Sequence, residues 1–345
     1  MRRLAFLAVM VLPVISLTAC NKSTEPVPTT ASSPPAVRGS WSGSALKSSP
    51  VQTVSCPSSS FCMAAGGGPG NGSSQGFVYT NSGGVWSTGR EVDRYTYQDS
   101  VSCVSSLFCM MVDSLPSISP AGYQGGYAFT YSDGHWSSGQ KIDPYNSLYS
   151  VSCTSGSFCM ALDYTGYVFR YLDGHWSSGQ KLGSATVFPS AALSSVSCTS
   201  SSFCMAVGGG DAFSYSHGQW SRGQKIESAY TYEVSVSCAS AHLCIAIDDD
   251  GKVFTYNKGA WSHGRAVGLQ TETPSVSCSS SSSCVAVTGD IEYTYLDTHW
   301  SAGRNIDPVG GLVEVSCPSS SFCLAGGDHF FKDGPGDSGY VSRYR

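Results

Sequence analysis

The chain has 345 residues, a formal net charge of −5 and only 12% charged side chains, with 39 glycines and 15 cysteines. Nucleic acid is set aside as a partner, because binding phosphates takes a clustered basic surface and none is visible. After the first twenty residues no segment approaches 18 consecutive apolar side chains, so the body of the chain is expected to be soluble.

Residues 1–19 begin with Arg2 and Arg3, run through an apolar stretch from Leu4 to Ile15 and end in small residues. That stretch is too short to span a bilayer and has the layout of a secretory signal peptide. The sequence Leu17-Thr18-Ala19-Cys20 resembles the bacterial lipobox. The resemblance implies cleavage before Cys20 and a diacylglycerol on its sulfur, which would anchor the exported protein at the cell membrane or cell surface. An ordinary signal peptide followed by an unmodified Cys is the alternative. From Cys20 to residue 40 the chain is rich in Pro, Ser and Thr and poor in large apolar residues, and it reads as a disordered tether.

From residue 41 to 345 one pattern recurs. Cysteines six residues apart pair Cys56 with Cys62, Cys103 with Cys109, Cys153 with Cys159, Cys198 with Cys204, Cys238 with Cys244, Cys278 with Cys284 and Cys317 with Cys323, in units 39 to 50 residues apart. Each full unit carries four short runs, as in "SVSC", "FCMALD", "YVFRY" and "HWSSGQKL", separated by Gly, Ser and Asp. No run holds a helical period, so each unit is predicted to be four antiparallel strands. Asp173-Gly174 marks a hairpin turn between the third and fourth. Four strands per roughly 40 residues is the signature of a β-propeller blade. The last unit stops after its third strand, while "GSWSGSAL" at 39–46 is a fourth strand with no unit before it. The fold expected is therefore all-β: a seven-bladed propeller in which the Trp41 strand completes the last blade and leaves no open edge.

The "SVSC…SFCMA…G-x-WS" unit resembles the repeat of secreted bacterial, especially actinobacterial, β-propeller proteins. That resemblance implies the fold and says little about function, because propellers host binding, scaffolding and catalysis alike.

With Cys20 set apart, the remaining fourteen cysteines form seven pairs, which suits a disulfide framework in an exported protein. Zinc would need two pairs brought close together, and no His recurs beside them. No catalytic motif, metal site or cofactor is assigned.

In a propeller the loops joining strands two and three, and those joining blade to blade, share one face. Here that face varies, whereas the other carries only short hairpins, so the variable face is where binding is expected. Long loops of blades 1, 2 and 7 are predicted to form a raised rim, with Asp328, Phe330 and Phe331 on it. A Phe pair tucked over the rim is the plainer alternative. Blade-to-blade segments carry Tyr95 and Tyr97, Tyr145 and Tyr149, and Tyr230 and Tyr232, whose flat rings suit sugars and protein surfaces. Asp113, Asp163 and the run Asp248, Asp249, Asp250 are carboxylate candidates on the same face, although Asp-rich turns are commonly only turns. The reading is an envelope lipoprotein whose non-catalytic propeller binds a glycan or an envelope protein through this face. The alternatives are a glycan hydrolase or lyase using channel carboxylates as acid and base, or a purely structural envelope protein.

Overall fold

The computed structural model describes residues 39–46, 50–70, 73–93, 97–114, 125–163, 165–183, 193–227, 234–268, 273–306, 310–329 and 338–344. The expected signal peptide, Cys20 and the tether up to residue 38 lie outside them. The described strands form seven antiparallel blades of a β-propeller, as the repeat predicts.

Blade 3 shows how the motif builds a blade. Its inner strand, Leu148–Ser155, pairs with Phe158–Asp163, and that strand pairs with Tyr167–Leu172. Cys153 and Cys159 face each other across the first ladder and are bridged. The other six bridges join Cys56 to Cys62, Cys103 to Cys109, Cys198 to Cys204, Cys238 to Cys244, Cys278 to Cys284 and Cys317 to Cys323. Cα separations are 3.9–4.1 Å throughout.

The second cysteine of each bridge sits in the second strand and is almost wholly buried: Cys62, Cys109, Cys159, Cys204, Cys244, Cys284 and Cys323 are each at most 1% exposed. These residues are therefore clasps inside the core between blades and take no part in a surface site. All six residues of Phe158–Asp163 are buried, because neighbouring blades cover both faces of the second strand. That is why "FCMALD" lacks the polar alternation of a half-exposed strand. The core accordingly lies between blades: Met110 and Val112 of blade 2 pack with Val151, Ala161 and Phe169 of blade 3.

The fourth strand differs from its prediction as one run. It is split into His175–Trp176 and Gln180–Lys181, both paired with the third strand. Ser177 causes the break. Its amide donates to the Arg170 carbonyl at 2.8 Å, and its hydroxyl accepts from the Arg170 amide at 3.0 Å, so a side chain takes the place of a strand carbonyl. Gly179 follows because the Phe169 ring lies against it; a Cβ there would come within 2.8 Å of a ring carbon. Ser137 and Gly139 repeat both contacts in blade 2. Trp176 meanwhile leans on Tyr171 with ring centroids 5.3 Å apart. The W-S-x-G motif thus encodes a Trp–Tyr contact, a serine-mediated bulge and a seat for an aromatic ring.

The ring closes as expected: Trp41–Leu46 pairs antiparallel with Ser338–Tyr344, from Trp41 opposite Tyr344 to Leu46 opposite Gly339. Blade 6 clasps this strand. The Trp41 indole donates to the buried Glu292 carboxylate at 2.9 Å, and Arg304 donates to the same carboxylate through Nε at 3.0 Å and Nη2 at 2.6 Å.

The inner strands are tied to one another by side chains. The hydroxyls of Thr53, Ser100, Ser150, Ser195, Ser235 and Ser275 accept from the amides of Val101, Val151, Val196, Val236, Val276 and Val315 in the next blade, at 2.9–3.2 Å. A second tier does the same: Ser55, Ser102, Ser152, Ser197, Ser237, Ser277 and Ser316 accept from the amides of Cys103, Cys153, Cys198, Cys238, Cys278, Cys317 and Cys56 at 2.9–3.0 Å. At the seam between blades 7 and 1 the first tier is completed by a carboxylate: Glu314 Oε2 accepts from the Val54 amide at 3.0 Å. Both serines of "SVSC" are therefore ring-closing residues. Replacing Ser152 by Ala is expected to cost about 1–3 kcal/mol, since it strands the Cys198 amide. The exposed Ser178→Ala control should stay within about 0.5 kcal/mol. Urea unfolding of both variants checks this, and equal stabilities would contradict the role assigned to the tiers.

Candidate functional site

The first residues of the inner strands surround the mouth of the central channel, on the face where blade-to-blade connections arrive. A cavity of ≈ 410 Å³ opens there, a size typical of small-ligand or side-chain pockets. Its wall includes Ser100, Ser150, Ser195, Ser235 and Ser275 of the first tier, together with Gln52, Tyr149, Glu314 and Asp328. Each tier hydroxyl accepts from an amide and keeps its own proton to donate, so the wall is both donor and acceptor.

Glu314 is the electrostatic centre of this wall. Its side chain takes hydrogen bonds from the Val54 amide and the Thr53 hydroxyl, both of which favour the anion. Burial works against the charge more strongly and pushes the carboxyl up to about 7. No Lys, Arg or His is among the described residues that line the cavity.

The sequence candidates fall into three groups. Tyr149, 47% exposed, and Asp328 both line the mouth, one from blade 3 and the other from blade 7 of the ring. Tyr145, 84% exposed, lies on the connection that leads into the strand carrying Tyr149, where its amide donates to Asp143 Oδ1 at 2.8 Å. Among the described candidates, these three lie at the mouth or on the connection into it, and Tyr97 begins the inner strand of blade 2.

Asp113, Asp163 and Asp248, by contrast, are wholly buried, each at the end of a second strand. Their Oδ1 atoms accept from the amides of Tyr127, Tyr167 and Lys252 at 2.7–2.9 Å, each joining the second strand to the start of the third. At Asp163 and Asp248 these are the bonds that an Asp turn makes. Asp163 also accepts from the Thr165 hydroxyl at 2.6 Å. Burial, and secondarily the hydrogen-bonded Asp143 carboxyl beside it, raise its pKa against the opposing pull of Thr165 and Tyr167. Asp249 is half-buried; Asp250 is exposed and 3.3 Å from Lys252 Nζ, which also meets Glu227 at 3.0 Å.

The expected rim is partly described. In blade 1 the described residues of "GGGPGNGSSQG" extend the hairpin, since Phe61–Gly70 and Ser73–Ser82 stay paired out to Gly70 opposite Ser73. In blade 7 pairing continues to His329 opposite Ser338. Tyr97 begins the inner strand Tyr97–Ser105. Tyr95, Tyr230, Tyr232, Phe330 and Phe331 lie outside the described residues.

Glu314, Gln52 and the serine tiers were not among the candidates. A signal for Glu314 was present: six units have Ser or Thr before "VSC" and the seventh reads "EVSC".

No protein-family model matches the chain, and no curated protein matches it in sequence. Solved structures do resemble it. YCF48 bound to D1 peptide is 14% identical with a TM-score of 0.60, over 88% of this chain and 96% of that one. YCF48 from Cyanidioschyzon merolae is 12% identical with a TM-score of 0.59, over 89% and 99%. The WD40 β-propeller domain of Doa1 is 10% identical with a TM-score of 0.57, over 89% and 96%. At these identities the likeness is one of fold.

Glu314 carries a pH signature. Its folded pKa, about 7, exceeds its ordinary 4.5, so the folded state holds the proton more tightly than the unfolded one. The resulting stabilisation is full below about pH 4.5 and is lost as pH rises through about 7. Wild type should therefore gain about 1–3 kcal/mol more than Glu314→Gln between pH 8 and pH 5 in chemical unfolding. Parallel pH profiles would contradict the buried setting of this carboxyl.

Proposed function

We propose that the protein is an exported, lipid-anchored envelope protein whose propeller is a non-catalytic platform, binding a protein or peptide partner at the channel mouth on its variable face. The observation that carries this reading is the ≈ 410 Å³ cavity at that mouth, with the half-exposed Tyr149 on its wall and the exposed Tyr145 beside it. A disulfide-braced ring presenting tyrosines at one edge of a polar depression suits binding, where Tyr supplies contact area at low entropic cost. A propeller of similar fold, YCF48, is known bound to a peptide, which supports a polypeptide as partner over a glycan. The leader and Cys20 support the envelope location: a lipid anchor followed by a roughly 25 Å tether would hold the ring just off a membrane.

Photo-crosslinking in the native envelope tests the face. A crosslinker at position 145 or 149 should give a discrete adduct, while one at Leu172 or Leu296, exposed beside the hairpin turns of the opposite face, should not. Equal labelling from both faces, or none from positions 145 and 149, would sink the assignment. The anchor is checked separately: Cys20→Ser is expected to move the protein from the membrane fraction to the soluble one, and unchanged membrane retention would speak against lipidation.

A further inference from the structure

We propose that the channel mouth seats a primary ammonium group of the partner polypeptide against the Glu314 carboxylate. This rests on the mouth being the binding face.

The first argument is the departure from the repeat. A hydroxyl at this position accepts the next blade's amide at every other junction, at 2.9–3.2 Å. Closing the ring therefore does not call for a carboxylate, and a half-buried anion carries a desolvation cost that a serine would not. The second is the charge of the cavity. Glu314 and Asp328 line it, and no cationic side chain does so among the described residues. A ligand that neutralises Glu314 would relieve the penalty that raises its pKa.

The third argument is complementarity beyond charge. Gln52 Oε1, also on the wall, is buried and meets no hydrogen-bond donor. An ammonium offers three donors and no acceptor, which suits a wall holding a carboxylate, an amide carbonyl oxygen and serine oxygens. Val313, half-buried on the same wall, gives an alkyl stem an apolar surface to lie along. A lysine side chain and a free amino terminus both carry this group.

Three short peptides distinguish the sources: Ala-Lys-Ala blocked at both ends, the same peptide with norleucine for lysine, and Ala-Ala-Ala with a free amino terminus and an amidated end. Binding to the purified propeller at pH 8 is read by NMR chemical-shift titration. The expected result is that at least one ammonium-bearing peptide binds about tenfold or more tightly than the norleucine peptide. That preference should vanish in Glu314→Ser, which restores the consensus of the other blades, and in Glu314→Gln, which keeps the shape. Thermal melts confirm that both variants fold. Equal binding of all three peptides, or a preference that survives both substitutions, overturns the proposal while leaving the binding face intact. Absence of any binding overturns it too, and the face is then judged by its crosslinks.

Discussion

Everything in this fold depends on how the inner strand of each blade disposes of the backbone amides along its free edge. An inner strand has a partner on one side only, and around a narrow channel its other edge faces the next blade rather than another strand. Unsatisfied amides there would be costly and would offer a template for mispairing. The solution is a side-chain oxygen from the preceding blade at each of two levels, a serine or threonine hydroxyl everywhere except at Glu314, so that every junction carries a pair of side-chain-to-backbone bonds. These bonds join residues about 40 to 51 positions apart within the run of blades and 260 apart at the seam. They turn a string of hairpins into a ring.

The rest of the architecture follows from that ring. With amide edges satisfied by side-chain oxygens, the second strands are free to be mostly apolar and to pack face to face, which is why each core cluster belongs to two blades rather than one. The disulfides brace the hairpin at the far end of each inner strand, away from the variable face. Blade 7, where strands from the two ends of the chain meet, receives extra fastening: the Trp41 strand itself, a Trp–Tyr contact at 5.6 Å, and the clasp of Glu292 and Arg304 from blade 6 on Trp41. The same blade holds the one first-tier position that is not a hydroxyl, Glu314. A departure from an otherwise uniform structural rule is expected where function has been placed.

The blade count, the strand order and the borrowed Trp41 strand were legible because they are properties of period and of chain ends. The seven bridges were legible because an even set at fixed spacing admits a local pairing. The fourth strand was read as continuous because its bulge depends on a hydroxyl, Ser177, substituting for a carbonyl, which strand propensity does not express. Asp113, Asp163 and Asp248 stood out as carboxylates on the variable face, yet each is tied to an amide four or more residues ahead, and only folded geometry brings that amide within 2.7–2.9 Å. Glu314 was missed for a related reason. In a strand reading "EVSC" differs from "SVSC" by one ordinary edge residue; in a ring reading the same letter puts an anion into a circle of hydroxyls.

On this account Glu314 is retained for what it binds, and the ring would close at least as well with serine. Equilibrium unfolding of Glu314→Ser at pH 8, where the wild-type carboxyl is ionised, addresses that directly. The account predicts a variant as stable as wild type or more so, by up to about 3 kcal/mol. A variant clearly less stable than wild type at that pH would show that Glu314 is a structural fastening of the seam, and the case for a functional anion at the channel mouth would fall.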